Sequence, residues 1–128
     1  MQRVTGIGGV FFKAKDPKAL GEWYQRHLGI EVEAWGGAAF RWVTPDNPTG
    51  TGTTTWNPFK DDTRYFAPST APFMINFRVA DLHALLAALR AEGCDVDVKV
   101  DESEYGKFGW VMDPEGHRVE LWQPPAGQ

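Results

Sequence analysis

The sequence predicts an α+β domain of two tandem βαβββ modules forming a curved mixed sheet around a cleft, and three observations carry that expectation. Residues 10–29 are answered by residues 75–93, an apolar strand pattern running into an aspartate (Asp16, Asp81), a helical stripe and a closing glycine (Gly29, Gly93). The match then continues, with Trp42 and Val43 against Trp110 and Val111, and residues 54–58 against residues 120–124. Two copies fill the 128 residues, too few for a solenoid and suited to a paired-module domain. We place module one at 5–59, a linker at 60–72 and module two at 73–125.

In module one, Val10, Phe12 and Ala14 alternate with Gly9, Phe11, Lys13 and Lys15, the period of a half-buried strand. Asp16 followed by Pro17 makes a helix N-cap with proline in the first turn. Leu20, Trp23, Tyr24 and Leu28 form one apolar stripe, and Gly29 supplies a left-handed C-terminal residue. Ile30, Val32 and Ala34 alternate with Glu31 and Glu33 as a second strand; residues 40–43 and 53–57 make a third and fourth, joined by a turn over 45–50. In module two, Ile75, Phe77 and Val79 alternate with Met74, Asn76 and Arg78 before Asp81 caps a helix striped by Leu82, Leu85, Leu86 and Leu89. Strands follow at 94–100, 108–112 and 118–122, with a tight turn from Asp113 to Gly116. Residues 59–72, rich in Pro, Asp and Thr, read as a crossing linker, and residues 101–107 as a solvated loop or the rim of a cleft.

Side-chain parity assigns the faces. Val10, Phe12, Ile75, Phe77, Val79, Val119 and Leu121 feed the helix-covered side. The opposite parity holds Gly9, Phe11, Lys13, Met74, Asn76, Arg78, Arg118, Glu120 and Trp122, which line whatever the curved sheet encloses.

Composition excludes several classes. Thirteen basic residues stand against seventeen acidic ones, net charge −4, with no basic run, so nucleic acid and anionic membranes are unsupported partners. No apolar run approaches a membrane span, residues 1–9 lack a signal-peptide pattern, and the cytoplasm is the expected location. Cys94, the single cysteine, alternates with Val96, Val98 and Val100 and reads as a small core residue.

The two βαβββ copies, the strand–Asp–helix openings and the closing stretch Asp113, Pro114, Glu115, Gly116, His117, Arg118, Val119, Glu120, Leu121 together resemble the vicinal oxygen chelate superfamily. That group includes glyoxalase I, the bleomycin- and fosfomycin-resistance proteins, extradiol dioxygenases and methylmalonyl-CoA epimerase. The resemblance implies metal ligands at four pseudo-symmetric places, which fall here on Gly9, Thr54, Met74 and Glu120. Of these only Glu120 is a competent hard-metal ligand, and His27, His83 and His117 are not spaced as a ligand pair. We therefore expect no divalent metal and no other cofactor.

Glu120 is the candidate catalytic residue, as a general base if it is desolvated and incompletely paired. Its expected partners, in order, are Arg78, Arg118, Lys13 and Asn76. The candidate ligand-binding residues are Phe11, Lys13, Trp56, Met74, Asn76, Arg78, Trp110, Arg118 and Trp122. Three cations and several flat rings on one face suit a small anionic or aromatic ligand. The leading expectation is a small-molecule-binding protein of the glyoxalase/bleomycin-resistance type. Its rivals are a lyase (lactoylglutathione lyase-like), isomerase or dioxygenase using Glu120 as metal ligand or general base, and an interaction protein whose cleft is filled by its own tryptophans. The resemblance also implies pairing of modules within or between chains, so a homodimer is expected.

Overall fold

The computed structural model describes residues 3–45 and 47–128. Eight strands, β1 (Val4–Ala14), β2 (Ala38–Thr44), β3 (Asn47–Lys60), β4 (Phe73–Val79), β5 (Asp95–Val96), β6 (Asp101–Ser103), β7 (Gly106–Met112) and β8 (Arg118–Gln123), form one sheet with two helices, α1 (Pro17–Leu28) and α2 (Leu82–Ala91). The order is β2-β3-β1-β4-β8-β7-β5, with β6 on β7. The duplication is visible in the ladder. β1 runs parallel to β3, β4 runs parallel to β8, and β1 meets β4 antiparallel at the centre, so a pseudo-twofold lies on the β1–β4 seam.

Both helices start where the sequence predicts. Asp16 Oδ1 accepts from the Ala19 N–H at 3.0 Å, Asp81 Oδ1 from the Ala84 N–H at 3.1 Å, and Gly29 closes α1 at φ 70°. The helices then differ in how they dock. Val79, Leu82, Leu85, Leu86 and Leu121 form a buried aliphatic cluster under α2, with Phe77, Val111 and Val119 packed against it. Beneath α1 no such cluster forms among the described residues. Trp23 and Leu28 remain 51% and 61% exposed, which corrects the expectation of a buried stripe, and only Gly21 is buried. This helix is held instead by ring contacts, Tyr24 lying 4.8 Å from Trp56.

Three further expectations are corrected. Residues 30–34 form no strand; the chain there closes on itself through Glu33 N–H to Gly37 O at 2.8 Å and Gly36 N–H to Glu33 O at 2.9 Å, leaving module one with three strands among the described residues. Of residues 94–100 only Asp95 and Val96 pair with β7; Cys94 is exposed and Val98 is 92% exposed, while Val96 and Val100 are half-buried against the cluster under α2. The turn expected over 45–50 is tighter, since Thr44 pairs with Asn47, and Asp46 lies outside the described residues.

The linker is more than a connection. Phe66, fully buried, packs with Phe11, Met74 and Trp110 on the face of the sheet opposite α2. The segment between β3 and β4 thus covers one half of the concave face and leaves the other half open.

Leu86 is 1% exposed, and its methyls would lie 3.0 and 3.2 Å from a Cβ built on Gly109. Leu86→Ala should lower unfolding free energy in urea titrations by about 2–5 kcal/mol, since the packed helix–strand contact cannot collapse into the void. Trp23→Ala, on the exposed face of α1, should cost under about 1 kcal/mol.

Candidate functional site

Glu120 sits at the middle of β8, paired with Asn76 on β4 and with Trp110 on β7. Side chains opposite one another on one sheet face stand about 5 Å apart, so the register itself delivers two donors to the carboxylate. Asn76 Nδ2 donates to Oε1 at 2.6 Å and Trp110 Nε1 donates to Oε2 at 2.9 Å. The linker supplies the third, the Tyr65 hydroxyl, also on Oε2. Glu120 is 1% exposed, and burial pushes its pKa up against the lowering pull of Tyr65, Asn76, Trp110 and the more distant Arg118 charge. The Tyr65 phenol is raised in turn, by burial first and then by the neighbouring carboxylate.

The expected order of partners is therefore inverted. Asn76, placed last of the four, bonds Glu120 directly. Arg118 turns to Asp97 at 3.2 Å with its guanidinium 4.9 Å over the Trp110 ring. Lys13 sits 5.9 Å over the Phe66 ring. Arg78, 2% exposed, lies between Trp42 and Trp122 at 5.3 and 5.4 Å, and donates to the main-chain oxygens of Thr53 (3.2 Å) and Gln128. Long cationic side chains reach acceptors and ring faces beyond their own register position, whereas the short amide of Asn76 cannot.

The open half of the concave face is a cleft of about 670 Å³. Module one contributes Gly8, Phe11, Thr53, Thr55 and Asn57, with Trp35, Ala39 and Arg41 at its margin; module two contributes Asn76, Tyr105, Phe108, Trp122 and Gln128. Phe108 and Trp122 are stacked, 6.1 Å apart and 14° from parallel. Trp122 Nε1 donates to the Tyr105 carbonyl at 2.8 Å, so the 101–107 segment is a rim, its turn made at Gly106 with φ 113°.

Of the predicted ligand-binding residues, Phe11, Asn76 and Trp122 line this cleft. Met74 and Trp110 do not, because Phe66 covers them. Trp56 faces the helix side, with Phe12 at 5.4 Å and Tyr24 at 4.8 Å. Sequence reasoning missed Tyr65, Phe108, Tyr105 and Asn57. The one available signal for Tyr65 was a pair of adjacent aromatics, Tyr65 and Phe66, inside an otherwise polar linker.

The positions implied for a metal do not fit one. A Cβ on Gly9 would meet the Phe11 ring at 2.8 Å, and Met74 packs in the Phe66 cluster. Thr54 Oγ1 donates to the Ile7 carbonyl at 2.7 Å while accepting from Trp42 Nε1 at 2.8 Å. Both Glu120 oxygens are occupied by donors. Among the described residues no group of three or more His, Cys, Asp or Glu could hold an ion. The register also revises the symmetry: Glu120 pairs with Asn76 as Asn57 pairs with Phe11, so Asn57 stands at the counterpart position, not Thr54.

A family profile described as Glyoxalase-like domain matches residues 9–122. The chain belongs to that family, within the vicinal oxygen chelate superfamily. The fold agrees. A single-residue variant of methylmalonyl-CoA epimerase from Streptomyces coelicolor, in complex with 2-nitronate-propionyl-CoA, is 20% identical over 96% of this chain and 99% of its own, TM-score 0.70. The epimerase from Mycobacterium tuberculosis is 19% identical over 98% and 91%, TM-score 0.64. A glyoxalase/bleomycin resistance protein/dioxygenase superfamily member from Vibrio splendidus 12B01 is 15% identical over 96% and 99%, TM-score 0.55. No curated protein matches the sequence. Among the described residues no helix is long and apolar enough to cross a membrane.

The upward shift of Glu120 has a definite sign. A carboxyl that holds its proton more tightly when folded stabilises the fold at low pH, and that contribution is lost as pH rises above the ordinary glutamate value through the raised one. Asp97 and Asp113, both lowered by hydrogen bonds, act oppositely, losing stability as pH falls. Glu120→Gln should therefore fold and flatten the decline on the alkaline side of that window, seen as the difference between variant and parent in urea unfolding across pH. Arg78→Ala, which empties the slot between two indoles, should cost about 2–4 kcal/mol at any pH.

Proposed function

We propose that this glyoxalase-like domain is a small-molecule-binding protein whose cleft takes a flat, largely apolar ligand without a divalent metal. The observation that carries this reading is the cleft wall itself, where Phe11, Phe108, Trp122 and Tyr105 surround Asn57, Asn76 and two threonines. Aromatic walls with a few fixed polar groups are the usual make-up of small-molecule pockets. Of the two ligand characters expected from sequence, the aromatic one is better supported. Arg78 and Arg118 both lie outside the cleft lining, and Arg41 is the charged side chain on it.

A catalytic reading keeps one point in its favour, the desolvated carboxylate with a raised pKa. Against it, Glu120 already accepts three hydrogen bonds and is not among the residues that line the cleft. A general base needs a free lone pair within reach of the substrate proton.

Titration with small aromatic fragments should shift the amide resonances of Gly8, Asn57 and Trp122, and Phe108→Ala should weaken that binding about three- to tenfold through loss of the stacked wall. Shifts confined to other surfaces would remove the cleft from consideration. Protein purified without chelator should carry metal well below stoichiometry; one equivalent of Zn, Mn, Ni or Fe would overturn the metal-free part of the proposal.

The same reading includes a homodimer. Val4, Ile7 and Val10 on β1 and Trp23 on α1 are 37–51% exposed, apolar area that association would cover. Light scattering at micromolar concentration should give twice the chain mass, and a monomer mass would refute it.

A further inference from the structure

We infer that the floor of the cleft is an acceptor subsite, the side-chain carbonyl of Asn76 behind Gly8, which selects flat apolar ligands carrying an N–H or O–H donor. The inference rests on the binding reading above and narrows its ligand class.

Glu120 sets the orientation of the Asn76 amide. An ionised carboxylate only accepts hydrogen bonds, and an indole N–H only donates. Trp110 Nε1 and the Tyr65 hydroxyl occupy Oε2, and Asn76 offers a nitrogen to Oε1 at 2.6 Å. Turning the Asn76 amide over would set its oxygen against the carboxylate at that same short distance. The carboxylate therefore fixes which end of the amide faces away, and that end is Oδ1.

Asn76 is 2% exposed, and its Oδ1 has no hydrogen-bond partner among the described residues. Buried side-chain acceptors in native proteins are mostly satisfied, and an exception asks for a cause. The direction of this one is given by Gly8: a Cβ there would collide with Oδ1 and lie 3.0 Å from the Trp122 ring. Gly8, Asn76 and Trp122 all line the cleft, and Oδ1 sits in the space that a side chain at position 8 would take. Solvent does not reach Oδ1, and a donor must be delivered to it by a group already seated against Trp122 and Phe108. β1 shifts register between Ile7 and Gly9, so the strand beside Oδ1 is irregular where two glycines follow one another. A ligand presenting only an acceptor at this corner would meet another acceptor and be rejected.

The test uses indole and benzofuran, which share shape and ring size and differ in one N–H. Each is titrated into the unmodified protein and followed by two-dimensional amide NMR. Both should perturb Trp122. Indole should bind roughly five- to tenfold more tightly, the worth of one hydrogen bond to a buried acceptor, and it alone should move the Asn76 side-chain amide and Gly8. In Glu120→Gln the new amide oxygen can keep Tyr65 and Trp110 while its NH₂ faces Asn76. Asn76 must then turn over, presenting N–H to the cleft, and the preference for indole should vanish, with indole weakened and benzofuran bound no more weakly than before. Gly8→Ala, whose Cβ would displace Oδ1 from its place, should erase the preference by a separate route. Equal affinity of the two probes for the unmodified protein overturns the inference and leaves the cleft-binding reading standing. A preference that persists in Glu120→Gln also overturns it. Failure of either probe to perturb the cleft overturns both.

Discussion

A single buried carboxylate organises this molecule. Glu120 lies out of water between β4 and β7, and leaving it unpaired there would cost several kcal/mol, comparable to roughly a third of a typical domain's stability. Its donors come from three parts of the chain: Asn76 on β4, Trp110 on β7 and Tyr65 from the segment joining the modules. Two are delivered by strand register, so they follow once the ladder forms. The third draws the linker down onto the sheet, where Phe66 seals against Met74 and Trp110. The division of the concave face into a filled half and an open cleft follows from that one requirement.

Much of this was legible in the sequence, and the reasons are specific. The helix caps at Asp16 and Asp81 are local chemistry, read within four residues and found as read. The parity of β4 and β8 was fixed by Phe77, Val79 and Leu121, which could only face the helix side, so Asn76 and Glu120 had to share the other. What stayed hidden depends on distance in the fold. Tyr65 precedes Glu120 by 55 residues, and nothing in its neighbours announces the contact. Trp56 was misplaced because its copy-to-copy match with Trp122 is a match of letters, while the ladder sets the two modules in different registers along their last strands. The apparent strand at 30–34 failed, and the one at 94–100 shrank to Asp95 and Val96, for a third reason: alternation is necessary for a half-buried strand but does not create a partner for it.

The departure from the superfamily's implied ligand set has a steric side as well as a chemical one. At Gly9 the space a ligand side chain would need is held by the Phe11 ring, and at Met74 it is held by Phe66. The positions have been absorbed into an aromatic interior, and restoring a histidine at one of them would require that interior to be repacked. Membership in the family thus fixes the scaffold, while the chemistry lies in side chains particular to this chain.

The unequal docking of the two helices makes one half of the domain hard and the other soft. α2 is riveted by Leu82, Leu85 and Leu86, each at most 3% exposed, whereas α1 buries Gly21 and rests on the Tyr24–Trp56 ring contact. Local opening free energy tracks buried apolar contact, so amide exchange should run through α1 well before it reaches α2. The cleft straddles the seam between these halves. One wall, carrying Trp122 and Phe108, is fixed to the hard half; the other, carrying Gly8, Phe11 and Asn57, belongs to the half that yields. Adaptation to ligands of different outline is thereby assigned to one side of the cleft, and recognition to the other.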